Sequence, residues 1–101
     1  MKVRHLVFWK FKDEADGLDK EANMKRAEEA LRALKDLVPQ VRELEVGRDF
    51  KHLPVSFEMA LNTTFDSPED LDAYQVHPEH VKVKDLLGVI TSDRAVVDYQ
   101  F

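Results

Sequence analysis

Between Lys2 and Phe11, large apolar side chains fall at both parities of an extended chain. Val3, His5, Val7, Trp9 and Phe11 share one face, and Arg4, Leu6, Phe8 and Lys10 share the other. A strand that is apolar on both sides has to lie inside a sheet and be covered on each face. The rest of the chain must therefore supply flanking strands and at least one covering layer.

The segments that follow fit that need. Lys12 to Gly17 reads as a polar turn, and a long helix opens at Leu18 or Asp19 and stops at Pro39. Its apolar stripe is Ala27, Ala30, Leu31, Leu34, Leu37 and Val38, at helical steps of three and four, while the charged residues opposite read as a solvated surface. Val41 to Phe50 is a charged strand, which suits an exposed sheet edge. Lys51 to Val55 is a loop, with His52 expected as a solvated residue in it. Ser56 to Phe65 alternates again, with Phe57, Met59, Leu61, Thr63 and Phe65 on one face. Ser67-Pro68-Glu69-Asp70 is a helix start, with a serine cap, proline in the first turn and acids beside the helix N-terminus. That helix is expected to reach about Val76. A second one carries Val81, Val83, Leu86, Leu87 and Ile90, with Gly88 loosening its end. Arg94 to Phe101 is the last strand. The order β-α-β-β-α-β predicts a single α+β domain over residues 1–101. Its form is ferredoxin-like, a four-stranded antiparallel sheet with helices on one face.

Sorting the strands by parity predicts two unlike faces. Val3, Val7, Trp9, Phe11, Phe57, Met59, Leu61, Phe65, Ala95, Val97, Tyr99 and Phe101 form the set expected beneath the helices, together with His5. The other set leaves Leu6 and Phe8 as an apolar patch on a bare sheet, which predicts a homodimer through that face.

Composition removes several classes of function. Apolar residues are 44% and charged residues 35% of the chain, a balance that can bury a core and argues against disorder. The net charge of −5 comes without a basic stripe, so neither nucleic acid nor an anionic membrane is an expected partner. The absence of cysteine excludes disulfides and thiolate chemistry. No secretion-signal pattern or apolar span is visible, and the expected compartment is the cytoplasm. No phosphate loop, activated nucleophile or cofactor motif is present, so no cofactor is expected.

The stretch with most chemistry is Tyr74-Gln75-Val76-His77-Pro78-Glu79-His80. Pro78 breaks the helix at His77 and opens the next one, so Tyr74 and His80 flank a break where side chains can converge. His77 and His80, with His5 and Glu79, form a minor metal-binding alternative; the main reading holds no metal. These residues resemble a known family. Val3-Arg4-His5-Leu6-Val7, Lys10-Phe11-Lys12-Asp13-Glu14, Thr64-Phe65, Tyr74 with His77-Pro78-Glu79-His80-Val81, and Asp98-Tyr99 are similar to the stress-responsive dimeric α/β-barrel (Dabb) domain. The likeness covers nearly the whole chain and implies a ferredoxin-like protomer forming a dimeric α/β barrel. It also relates the chain to plant polyketide cyclases of the olivetolic acid type, which close a ring by an aldol step with a Tyr/His acid–base pair. By resemblance that pair falls on Tyr74 and His80, with His5 in support and Met59 where those cyclases carry a further histidine. Val7, Trp9, Met59, Val83 and Leu87 are expected to bound a pocket for a small apolar or aromatic carbonyl compound. Two other readings accompany this one: a non-catalytic stress or assembly protein, and a cofactor-light monooxygenase suggested by fold analogy alone.

Overall fold

In the computed structural model, which describes residues 1–101, the first strand, β1 (Val3–Phe11), runs up the middle of a four-stranded sheet. Its burial alternates residue by residue: Val3, His5, Val7, Trp9 and Phe11 are buried, and their neighbours are half-covered. The helix α1 (Lys20–Leu37) is capped by Asp19, which accepts the Ala22 N–H at 2.8 Å. Asn23, Met24, Ala27, Leu31 and Leu34 turn inward on α1, whereas Leu37 is exposed. The edge strand β4 (Glu43–Arg48) pairs with β5 (Met59–Phe65), and β5 pairs with β1. Two helices follow, α2 (Pro68–Val76) and α3 (Pro78–Ile90). The last strand, β6 (Thr91–Gln100), returns along the other side of β1. All pairings in the main sheet are antiparallel, and the spatial order is β4-β5-β1-β6. The core of 19 apolar residues lies between this sheet and the helices.

This is the ferredoxin-like α+β arrangement, but the expected α/β barrel is overturned. The sheet is open: β4 and β6 are its two edges and do not pair with each other. The hydrogen-bond ladder ends on both sides, β4 pairing only with β5 and β6 only with β1, so no closed barrel forms.

Three local expectations also need correction. The polar turn after β1 contains a small hairpin of β2 (Glu14–Ala15) and β3 (Leu18–Asp19). Asp16 and Gly17, at φ 56° and 75°, form its two-residue turn, and an Asp-Gly pair is well suited to this left-handed geometry. Asn23 anchors the hairpin to α1 by donating to the Ala15 carbonyl at 2.9 Å. Second, the alternation before Met59 fails. Phe57 leaves the helix side and lies against Phe8, with ring centroids 6.5 Å apart. The intervening Glu58 instead ties β1 to α1, accepting from the Phe11 N–H at 2.6 Å and from Lys20 at 2.8 Å. Burial pushes the Glu58 pKa upward, but these two donors outweigh it and hold the carboxyl below its usual range.

The third correction concerns β6. Its register sets Asp98 opposite His5, Val96 opposite Val7 and Arg94 opposite Trp9. Directly paired residues share a face, so Arg94, Val96 and Asp98 lie on the helix side. Ala95, Val97 and Tyr99 lie with Leu6 and Phe8 on the bare side, reversing the predicted parity of this strand. Phe101 joins them, its ring beneath the Arg4 guanidinium at 4.3 Å. β6 is an edge strand that the helices cover poorly, so its apolar alternation marks the open face and not the core. The bare patch is consequently larger than Leu6 and Phe8 alone: Val97, Tyr99 and Phe101 are all exposed there.

Candidate functional site

The break between α2 and α3 fixes the site. Pro78 can supply no N–H to continue α2, and its ring holds His77 in an extended conformation at ψ 133°. The last carbonyls of α2 therefore need other donors. The Gln75 carbonyl receives two, His80 Nδ1 at 3.3 Å and Lys84 Nζ at 3.2 Å. His80 sits in the first turn of α3 and is thereby held against α2, with its proton on Nδ1 and its Nε2 lone pair free. His77 takes a different job: its Nδ1 accepts the Glu79 N–H at 3.1 Å and caps α3. The metal alternative needed His77 and His80 to act together, and the local geometry divides them.

Three rings stack inward from separate elements. Tyr74 lies on His80 with ring centroids 4.0 Å apart, and His5 meets Tyr74 edge-on at 6.1 Å. Phe65 backs Tyr74 at 4.9 Å. Exposures of 2% for His5, 0% for Tyr74 and 7% for His80 put all three out of bulk water. His5 Nδ1 is hydrogen-bonded to the Asp98 carboxylate, and the Thr63 hydroxyl donates to the His5 carbonyl at 3.1 Å. Asp98 was not among the expected site residues. The signal for it was the spacing of the final strand, which the reversed parity concealed.

Burial governs the ionisation of this cluster. Burial lowers the His80 pKa to about 4, outweighing the Gln75 hydrogen bond, and Lys84, His5 and Arg94 add charge repulsion. Burial also raises the Tyr74 pKa well above that of a free phenol. At neutral pH His80 is thus an uncharged imidazole and Tyr74 an intact hydroxyl. That hydroxyl is buried and has no hydrogen-bond partner within the chain.

The depressed His80 pKa makes folding acid-sensitive with a defined sign. Above the ordinary value of 6.5, His80 is neutral in both folded and unfolded chains and contributes no pH dependence. As the pH falls from 6.5 toward about 4, the unfolded chain takes up a proton that the folded one refuses, and stability drops. The loss is on the order of 2 kcal/mol after allowing for water that reaches the cavity. The acid-induced fall in Tm is therefore expected to be smaller in His80→Asn than in the wild type. Parallel curves for the two proteins would show that His80 is not shielded.

A cavity of about 300 Å³ lies beside this cluster, between β1, β6 and α3. Its wall includes His5, Val7, Trp9, His80 and Leu87, with Lys84 and Arg94 also on it. Of the residues expected to bound a pocket, Val7, Trp9 and Leu87 do so. Met59 and Val83 are buried in the packed core and do not line the cavity. Met59 stands opposite Trp9, one strand further from β6. Tyr74 also stays behind the wall, covered by His80.

Gly88 lies on the cavity side of α3, which runs on past it to Ile90. A Cβ added there would meet no atom within 4 Å. Gly88→Ala is thus expected to stabilise the fold by about 0.5–1 kcal/mol through helix propensity alone. A lower Tm would mean that this space is already filled.

The model of a family described as Stress responsive A/B Barrel Domain (Dabb) matches residues 3–101. Olivetolic acid cyclase of Cannabis sativa is 29% identical over 101 residues, covering 98% of this chain and 96% of the cyclase. A crystal structure from Bacteroides fragilis, a dimeric protein of unknown function with a ferredoxin-like fold, is 33% identical. It superposes with a TM-score of 0.86 over 99% of this chain and 96% of its own. A dimeric ferredoxin-like protein of unknown function from Thermobifida fusca has the same TM-score at 21% identity, over 100% and 92% of the two chains. No helix of the present chain is long and apolar enough to cross a membrane.

Proposed function

Because the chain belongs to the Dabb family, we propose that it binds a small carbonyl compound beside α3 and moves a proton at the carbon next to that carbonyl. The observation that carries this reading is the pairing of two imidazoles on one cavity wall, His5 held by a carboxylate and His80 neutral, with the unpartnered Tyr74 phenol packed directly behind His80. His5 is the preferred base. Asp98 holds its Nδ1–H, leaving Nε2 to accept a proton, and the carboxylate stabilises the imidazolium that forms. His80 is the poorer base at neutral pH because its pKa is about 4. It serves better as a fixed polar wall. Tyr74, kept protonated and lacking a partner, has a hydroxyl to offer the oxygen that becomes an enolate, but to reach it His80 must turn aside, because the phenol lies behind the cavity wall.

In such a step the α C–H bond breaks, its proton passes to His5, and the electron pair moves onto the carbonyl oxygen. Attack of the enolate carbon on a second carbonyl forms a C–C bond, and the proton returns to the new alkoxide. This is an aldol closure that needs no cofactor. It is the kind of chemistry implied by the likeness to olivetolic acid cyclase.

The test is deuterium incorporation into the methyl group of acetophenone in D2O near neutral pH, followed by proton NMR. Faster loss of the methyl signal with protein than with buffer is expected. No acceleration, alongside measurable binding of acetophenone, would leave a binding protein without proton transfer. That second reading has one specific observation in its favour, since Tyr74 is fully buried and does not line the cavity wall.

We also propose that the chain acts as a homodimer through its bare sheet face. Leu6, Phe8, Val97, Tyr99 and Phe101 make one apolar surface there, of a kind that usually marks an interface. Two of the similar solved structures are described as dimeric.

A further inference from the structure

The charge on the cavity wall runs against that of the chain. The protein carries a net charge of −5, yet no carboxylate lines the cavity, and its two fully charged lining residues, Lys84 and Arg94, are both cations. Neither takes part in any ion pair of the structure. Lys84 donates only to the Gln75 carbonyl, Arg94 makes no side-chain hydrogen bond, and both also reach solvent at the cavity mouth. Only six of the fifteen lysines and arginines are matched to carboxylates, so what sets Lys84 and Arg94 apart is that they share one cavity wall. Asp98, the nearest acid along this face of β6, is already engaged by His5. Two unmatched cations facing one space form an electrostatic trap for an anion.

The wall also has a direction. Arg94 is opposite Trp9 and Asp98 is opposite His5, so the two ends lie four residues apart along the sheet, about 13 Å. Val7, Leu31, Leu61 and Leu87 supply apolar wall alongside. We propose that the ligand carries a carboxylate, received by Lys84 and Arg94, on an apolar or aromatic body that extends toward His5. This rests on the carbonyl-compound reading above and narrows its substrate class to keto acids. Lys84 and Arg94 are then specificity-determining residues: they select the anion and present the far end of the molecule to the base. Because the same cations help to keep His80 neutral, a carboxylate bound between them relieves that repulsion and raises the His80 pKa.

The experiment compares 4-acetylbenzoate with its methyl ester, and phenylacetate, 4-propylbenzoate and octanoate with theirs. Binding is followed by Trp9 fluorescence and calorimetry at low salt, with His80 titrated by NMR. Each acid is expected to bind at least tenfold more tightly than its ester, and the preference to shrink as salt is added. In Lys84→Gln/Arg94→Gln the acid-over-ester ratio falls to within twofold, and the upward movement of His80 on adding 4-acetylbenzoate disappears. Esters binding as well as acids in the wild type, or a preference that survives the double substitution, would overturn the carboxylate assignment and leave the carbonyl-compound site standing. If neither acids nor esters bind to folded protein, both that site and this assignment fall.

Discussion

Replacing Leu6, Phe8 and Val97 together by glutamate is expected to turn a dimer into a monomer. The three side chains are neighbours across β1 and β6 on the face that the helices leave bare. In a two-fold assembly each substitution acts twice, so six carboxylates would have to be desolvated with no partner. The association constant should fall by at least about a thousandfold, roughly 4 kcal/mol. Sedimentation at micromolar concentration reads this directly, and far-UV circular dichroism checks that the helices persist. Leu6 and Phe8 are already half-covered within the protomer, so some loss of thermal stability should accompany the dissociation. A triple variant that sediments as a dimer would locate the interface elsewhere, and a monomeric wild type would remove it.

The second large effect is on proton transfer. His5→Asn should slow deuterium incorporation into acetophenone by about a hundredfold or more, the usual contribution of a positioned base. Asp98→Asn keeps the shape of the pair but removes the charge that stabilises the imidazolium, and should cost about tenfold or more. Tyr74→Phe removes the hydroxyl proposed to reach the enolate oxygen once His80 turns aside. It also removes an unpartnered buried hydroxyl, so the variant should be at least as stable as the wild type while losing rate. Full activity in His5→Asn would move the base to another residue, with His80 the next to test.

Much of the fold was legible because its signals are local. The two-sided apolar pattern of Val3 to Phe11 required a central strand, and β1 is central. Ser67-Pro68 and His77-Pro78 set the starts of α2 and α3 through stereochemistry that no distant contact can change. What escaped was whatever depends on which layer a residue meets. The alternation of Ala95, Val97 and Tyr99 was visible, but a period of two does not say which of its two faces is inside. A strand at a thinly covered edge can keep its apolar side for the outside. Reversing that one strand hid both the full size of the bare patch and the pairing of Asp98 with His5. Phe57 escaped for a related reason: the chain turns before β5 begins, and the regular alternation does not extend back through the turn.

The candidate site divides in the same way. His5, Tyr74 and His80 were singled out from a family likeness and from the helix break, and the fold brings their rings within a few ångströms of one another. The cavity wall was only partly foreseeable. Trp9 and Leu87 follow from strand parity and helix spacing, whereas Lys84 and Arg94 are polar residues whose shared outlook arises only when the fold sets α3 and β6 beside one cavity. Met59 has the right parity but stands at the start of β5, opposite Trp9, and is buried in the core, whereas Leu61 on the same strand reaches the wall.

The proposed chemistry is tested most directly by a long-range proton–nitrogen NMR titration of the histidine rings in the ligand-free protein. His5 should carry its proton on Nδ1, facing Asp98, and His80 should remain a neutral Nδ1–H tautomer well below the ordinary value, taking its second proton only near pH 4. A His80 ring that titrates near 6.5, or a His5 ring that exchanges between tautomers, would contradict the desolvated, carboxylate-anchored cluster on which the proposed chemistry depends.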